Sequence, residues 1–349
     1  MSAERPGRWC GERPGGPMSP RWGWSRRGRG AAPAGDVDLT TAVGSVTLPN
    51  PVLAASGTAG HADELGAYVA LDRLGAVVVK SLASEPWPGN PAPRVRETHG
   101  GMLNSVGLQG PGIEAWLVHD LGRLLSSGAR VVVSVWGRRV DDFESVARRL
   151  ADGLTAATGP GAVVAIEVNV SCPNVEDRRR MFAHSPTATA EAVAAVGAGC
   201  PMLPRWAKLS PNVADLVEVA GAAYGAGAEG VTLVNTLLGL AVDVEHRRIA
   251  LGSGPAGGGL SGPAVLPVAV RSVFDVRAAY PDGGIVGVGG VTEVADALQL
   301  VMAGADAVAV GTATLRDPRA TERLVDGLAQ WCRAEGVRSL DEVRGVVHG

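Results

Sequence analysis

The chain has 349 residues, 46% of them hydrophobic and 19% charged, with a formal net charge of −3. That is long enough for one large domain or two ordinary ones with a substantial core. Glycine is frequent, at 49 residues or about twice the usual share of roughly 7%, and aromatics make up only 4%, which disfavours a β-sandwich and favours many tight loops between small-residue elements. No apolar run reaches the ~18 residues of a membrane span, and the N-terminus lacks the apolar stretch of a signal peptide. Cys10, Cys172, Cys200 and Cys332 form no C-x-x-C pair on which a zinc or iron–sulfur site could rest. No metal is therefore expected, and a cytoplasmic location is. The positive charge is divided oddly, between thirty arginines and two lysines, Lys80 and Lys208.

Residues 1–35 hold seven Arg against Glu4 and Glu12, with Pro, Gly and three Trp between them and no helical or strand period. This reads as a disordered extension, or as an over-long start with initiation at Met18. Its short length and lack of Lys disfavour a nucleic-acid-binding arm.

A different rhythm fills 36–349, read as one domain. Short apolar β-branched runs at 51–54, 76–80, 130–135, 162–170, 205–209, 230–235, 285–288 and 307–310 each precede a polar or Gly-rich turn and an Ala/Leu/Glu/Arg segment with helical spacing. Unbroken apolar strands alternating with amphipathic helices indicate a parallel sheet buried on both faces. Eight such units predict an α/β fold, a closed (β/α)8 TIM barrel, with a doubly wound open sheet as the runner-up. Residues 91–102 and 240–259 break the alternation and read as hairpin-like excursions over the C-terminal face.

A barrel of this kind builds its site from strand C-termini. The runs end in Ser56-Gly57, Lys80-Ser81, Ser134, Asn169 to Asn174, Lys208, Asn235-Thr236, Gly289-Gly290 and Gly311-Thr312. Both lysines of the chain lie at such ends. Glycine pairs after the seventh and eighth strands let backbone N–H groups approach a phosphate closely. Cys172, in Asn169-Val170-Ser171-Cys172-Pro173-Asn174, suits a base or nucleophile if its pKa is lowered, whereas Cys200 and Cys332 read as inert small hydrophobes. The amides Asn104, Asn169, Asn174 and Asn235 offer paired donors and acceptors suited to a planar heterocycle.

Taken in order, these segments resemble the dihydroorotate dehydrogenases from about residue 38 to 330. The resemblance is carried by Ala55-Ser56-Gly57, Lys80-Ser81, Gly89-Asn90-Pro91-Ala92-Pro93-Arg94, Asn104-Ser105-Val106-Gly107-Leu108, the Cys172 segment, Lys208-Leu209-Ser210-Pro211-Asn212, Asn235-Thr236, Gly259-Leu260-Ser261-Gly262-Pro263, Gly287-Val288-Gly289-Gly290 and Gly311-Thr312. Cys172 rather than Ser resembles the class 1 enzymes, and Asn235-Thr236-Leu237-Leu238-Gly239 the NAD-linked class 1B.

The resemblance implies FMN bound by Ser56, Lys80, Ser81, Ser134, Asn169, Lys208, Val234, Gly262, Gly289, Gly290, Gly311 and Thr312. It also implies dihydroorotate held by Lys80, Asn104, Ser105, Val106, Gly107, Leu108, Asn169, Asn174, Asn235 and Thr236. Cys172 would remove the C5 proton while hydride passes from C6 to the flavin. A homodimer and a separate electron-transfer subunit carrying FAD and a [2Fe-2S] cluster are implied as well.

Three positions depart from the family pattern. Gly110 stands where Asn is usual, Ser134 replaces a common Asn, and Arg178-Arg179-Arg180 follow the cysteine segment, read as a solvated face or a partner-docking patch. The competing readings are an FMN barrel acting on another dihydropyrimidine or using fumarate, and a barrel binding a phosphorylated ligand without redox chemistry.

Overall fold

The structure, a computed structural model, describes residues 37–157, 163–171 and 181–349. The expected N-terminal extension, Cys172, Asn174 and the arginine run lie outside the described residues. Eight strands, Val52–Ala54, Ala76–Val78, Val131–Val135, Val163–Asn169, Arg205–Lys208, Gly230–Leu233, Gly284–Val288 and Ala307–Val310, pair in parallel in chain order and close into a barrel where the eighth meets the first. Seven of the expected apolar runs contain one of them, and the run 285–288 falls inside the seventh strand, which starts one residue earlier at Gly284. The fold is the (β/α)8 barrel, not the open sheet.

The first βα unit departs from the alternation: between the first two strands stand only the short turns Glu64–Ala67 and Leu71–Arg73. That segment carries Gly57, Gly60 and Gly66, and glycine disfavours continuous helix. The later units have full helices, such as Pro186–Gly199, N-capped by the Ser185 hydroxyl, and Leu216–Gly225, capped by Asp215.

Successive side chains of a strand point to opposite faces, and the barrel sorts its residues accordingly. Val131, Val133, Ile166, Val168, Ala207 and Val231 pack outward among the helices. Leu53, Ala76, Val78, Val132, Ala165, Trp206, Val286 and Ala307 fill the interior, together with Val43, Val46 and Leu48 of an N-terminal hairpin. Counting two residues onward from this apolar interior reaches Lys80 after Val78, Ser134 after Val132, Glu167 and Asn169 after Ala165, and Lys208 after Trp206. Polar chemistry therefore sits one layer above a dry floor, at the C-terminal mouth. Elsewhere, buried Asp306 accepts from Arg277 and Arg344, both at 2.8 Å, and from the Ile285 amide at 2.7 Å.

The two excursions join into one structure. Val95–Thr98 and Gly101–Asn104 form a hairpin, and Gly101–Asn104 also pairs with Gly258–Ser261, which pairs with Leu237–Gly239. The result is a four-stranded antiparallel sheet.

Candidate active site

A cavity of about 330 Å³ opens at the mouth, within the size range of small-ligand sites. Among the expected cofactor contacts, Ser56, Lys80, Ser81, Asn169, Lys208, Val234, Gly262, Gly289, Gly290, Gly311 and Thr312 line it, and among the expected substrate contacts so do Asn104, Val106, Gly107, Leu108, Asn235 and Thr236. Barrel strand ends and the excursion sheet thus share one wall. Thr58, Ser171, Leu260, Ser261 and Thr292 also line it without having been singled out as contacts.

Two expected contacts stand behind the wall. Ser134 is fully buried and does not reach the cavity; its hydroxyl instead donates to Glu167 at 2.9 Å and lies 2.9 Å from that of Ser81. Ser105 is buried too, its backbone engaged with Arg94 and Asn90, and its hydroxyl is not part of the lining.

The polar groups of the wall are tied together. The Lys208 ammonium donates to the Ser56 hydroxyl at 3.2 Å and lies 3.7 Å from the Glu167 carboxylate, which is only 2% exposed. The Asn169 amide nitrogen donates to Ser81 at 3.1 Å, and its oxygen accepts from the Ser171 amide at 3.2 Å. Glu167 is the residue that sequence reasoning missed. The signal was a lone acid inside the apolar run Val163–Asn169.

Burial lowers the Lys80 pKa to about 8, as does repulsion from Lys208, while Glu167 opposes the shift. The neighbouring His61 is driven towards its neutral form by burial and by the Lys80 charge. A proton held with that pKa is present at neutrality and lost as pH rises. If Lys80 pairs with a ligand carboxylate, affinity for orotate is expected to be flat up to pH 8 and then to fall about tenfold per pH unit. Calorimetric titration between pH 6.5 and 9.5 measures this, and a flat profile throughout would remove Lys80 from ligand binding.

Glycine makes the opposite corner possible. Gly290 has φ +78°, and a Cβ there would stand 2.6 Å from the backbone nitrogen of Leu266; Gly289, at φ +136°, would bring one within 3.0 Å of Ala269. No side chain fits, so bare backbone faces the cavity. Nearby, Thr312 donates its hydroxyl to Ser261 at 2.7 Å. Gly290→Ala combines a backbone clash with an unfavourable φ, and is expected to cost ~1–3 kcal/mol of stability and to weaken binding of a phosphorylated ligand. Thermal melting with and without FMN checks both effects.

The glycine at 110 also has a local explanation. A Cβ on it would lie 3.3 Å from the His61 ring nitrogen Nε2, so the imidazole occupies the room where a larger side chain would stand. Cys200 and Cys332 are free and fully buried, and burial pushes both thiols up, as befits inert packing. Among the described residues no cluster of three or more His, Cys, Asp or Glu could hold a metal ion, and no helix is long and apolar enough to cross a membrane.

Residues 38–331 match the sequence profile of the dihydroorotate dehydrogenase family. The chain belongs to that family. It is 45% identical over 312 residues to the catalytic subunit of dihydroorotate dehydrogenase B (NAD(+)) of Desulforudis audaxviator, a match covering 89% of this chain and 98% of that protein. It is 42% identical over 309 residues to the catalytic subunit of the same name from Alkaliphilus metalliredigens, covering 88% and 98%. A third, from Lachnoclostridium phytofermentans, is 40% identical over 311 residues, covering 89% and 100%. Like other dihydroorotate dehydrogenases by family, the chain is an enzyme, and its two lysines stand in the cavity around which the family's motifs converge.

Proposed function

We propose that the chain is an FMN-dependent dihydroorotate dehydrogenase of class 1B type, oxidising (S)-dihydroorotate to orotate in pyrimidine biosynthesis. The observation that carries the reading is the convergence, in one cavity, of both lysines, three asparagines and a glycine corner that excludes side chains. That donor set fits FMN. Gly289, Gly290, Gly311 and Thr312 would hold its phosphate, and Lys208, Ser56, Ser81 and Asn169 its ring system. Bound FMN supplies a two-electron acceptor.

The remaining chemistry belongs to the chain's own residues. Lys80 neutralises the substrate carboxylate, and Asn104, Asn235 and Asn169 engage the alternating C=O and N–H groups of the dihydropyrimidine ring. Cys172 follows Ser171, which lines the cavity, and serves as the base that takes the C5 proton; Asn174 belongs to the same segment. Val106, Gly107 and Leu108 cover the ring and exclude water.

Electrons would pass to NAD through a separate subunit carrying FAD and a [2Fe-2S] cluster, with the catalytic chain as a homodimer in the cytoplasm. The relatives' designation as catalytic subunits of an NAD(+) enzyme supports the separate subunit. The test is anaerobic: purified chain reconstituted with FMN is mixed with dihydroorotate and the flavin absorbance followed. NAD⁺ with partner, fumarate and quinone are then compared as oxidants. A chain that takes up no flavin refutes the reading, and direct reoxidation by fumarate reassigns the acceptor.

A further inference from the structure

The hydrogen-bond chain behind the cavity wall has a direction. Ser134 owns one hydroxyl proton, and it is committed to the Glu167 carboxylate at 2.9 Å. Ser81, 2.9 Å from Ser134, must therefore donate to it rather than accept. The Asn169 amide nitrogen donates in turn to Ser81 at 3.1 Å, which turns the amide oxygen towards the Ser171 backbone, at 3.2 Å, and the Asn235 amide, at 3.5 Å. Every donor in the series points towards Glu167, the only acid among the described buried polar residues of the mouth and 3.7 Å from Lys208. A buried carboxylate that accepts a hydroxyl proton and faces an ammonium forms a mutually compensating set, and removing one member of such a set leaves an uncompensated charge.

We propose that Glu167 is a positioning residue: it anchors the Lys208 ammonium against the cavity wall and, through Ser134 and Ser81, fixes which end of the Asn169 amide faces the cavity. It touches neither FMN nor substrate and acts through residues that would. The proposal rests on the FMN reading above, in which Lys208 meets the flavin edge. With Glu167 present, the positive charge there is partly compensated. Neutralising Glu167 leaves Lys208 uncompensated and favours the reduced flavin, which carries more negative charge than the oxidised form.

Two measurements test this. In Glu167→Gln, of nearly equal size and still able to accept from Ser134, the ratio of dissociation constants for oxidised and reduced FMN is expected to rise about tenfold, an upward shift of the flavin potential of about 30 mV for a two-electron couple. In a Lys208→Met background the same substitution is expected to change the ratio less than about threefold, because coupled residues are non-additive. A packing role alone would change melting temperature and leave the ratio alone. Glu167→Asp, one methylene shorter, is expected to move the ratio the same way by about threefold, and it serves if the Gln variant does not fold.

The second measurement needs no FMN. With two lysines in the chain, lysine-selective labelling gives two side-chain NMR signals, assigned by the loss of one in Lys208→Met. Glu167→Gln is expected to shift the Lys208 signal. An unmoved signal, an unchanged ratio, or an equal change in the Lys208→Met background overturns the proposal. Failure to bind FMN overturns the functional reading instead, and the NMR signal still decides the role of Glu167.

Discussion

Replacing Lys208 with arginine is expected to raise the FMN dissociation constant tenfold or more, although the charge is unchanged. The lysine is 5% exposed, and its ammonium is placed between the Ser56 hydroxyl at 3.2 Å and the Glu167 carboxylate at 3.7 Å. Below it lie Trp206 and the apolar filling of the barrel. A guanidinium is wide, planar and forked where the ammonium is compact. Fitting it means displacing packed neighbours at ~1–3 kcal/mol, about one to two decades in affinity. Fluorescence titration of the FMN-free variant measures the effect. Parental affinity would reduce the scarcity of lysine in this chain to a habit of composition.

The second large effect concerns Cys172. Cys172→Ser is expected to keep FMN and orotate binding while slowing anaerobic reduction of the flavin by dihydroorotate about 10²- to 10⁴-fold near neutral pH, the range that a positioned general base contributes. Serine is a far weaker acid than a thiol, so the rate of the variant should recover in part as pH rises. Stopped-flow absorbance at several pH values gives the result. A rate equal to the parent's would take Cys172 out of the mechanism.

Most of the barrel was legible because its signal is local. An apolar run that ends in Lys80, Asn169 or Lys208 reports both a strand and its mouth, since side chains alternate and the last inward position meets the ligand. What escaped needed depth or distance. Ser134 has the right parity and the right strand, yet it sits behind Ser81, and no spacing rule gives depth. Glu167 was visible as an acid among apolar neighbours, but its meaning depends on Lys208 and Ser134 arriving from other strands. The excursion sheet joins Gly101–Asn104 to Gly258–Ser261, a pairing between segments far apart in the chain for which neither carries a mark. The missing helix after the first strand was signalled by its glycines, and the regular alternation around it masked the signal.

The N-terminal hairpin, whose Val43, Val46 and Leu48 pack with the interior side chains, stoppers the barrel at the foot. Among the described residues, a molecule entering the mouth meets this apolar plug at the far end. Substrate and product are then expected to share the mouth, and orotate to compete with dihydroorotate by occupying it.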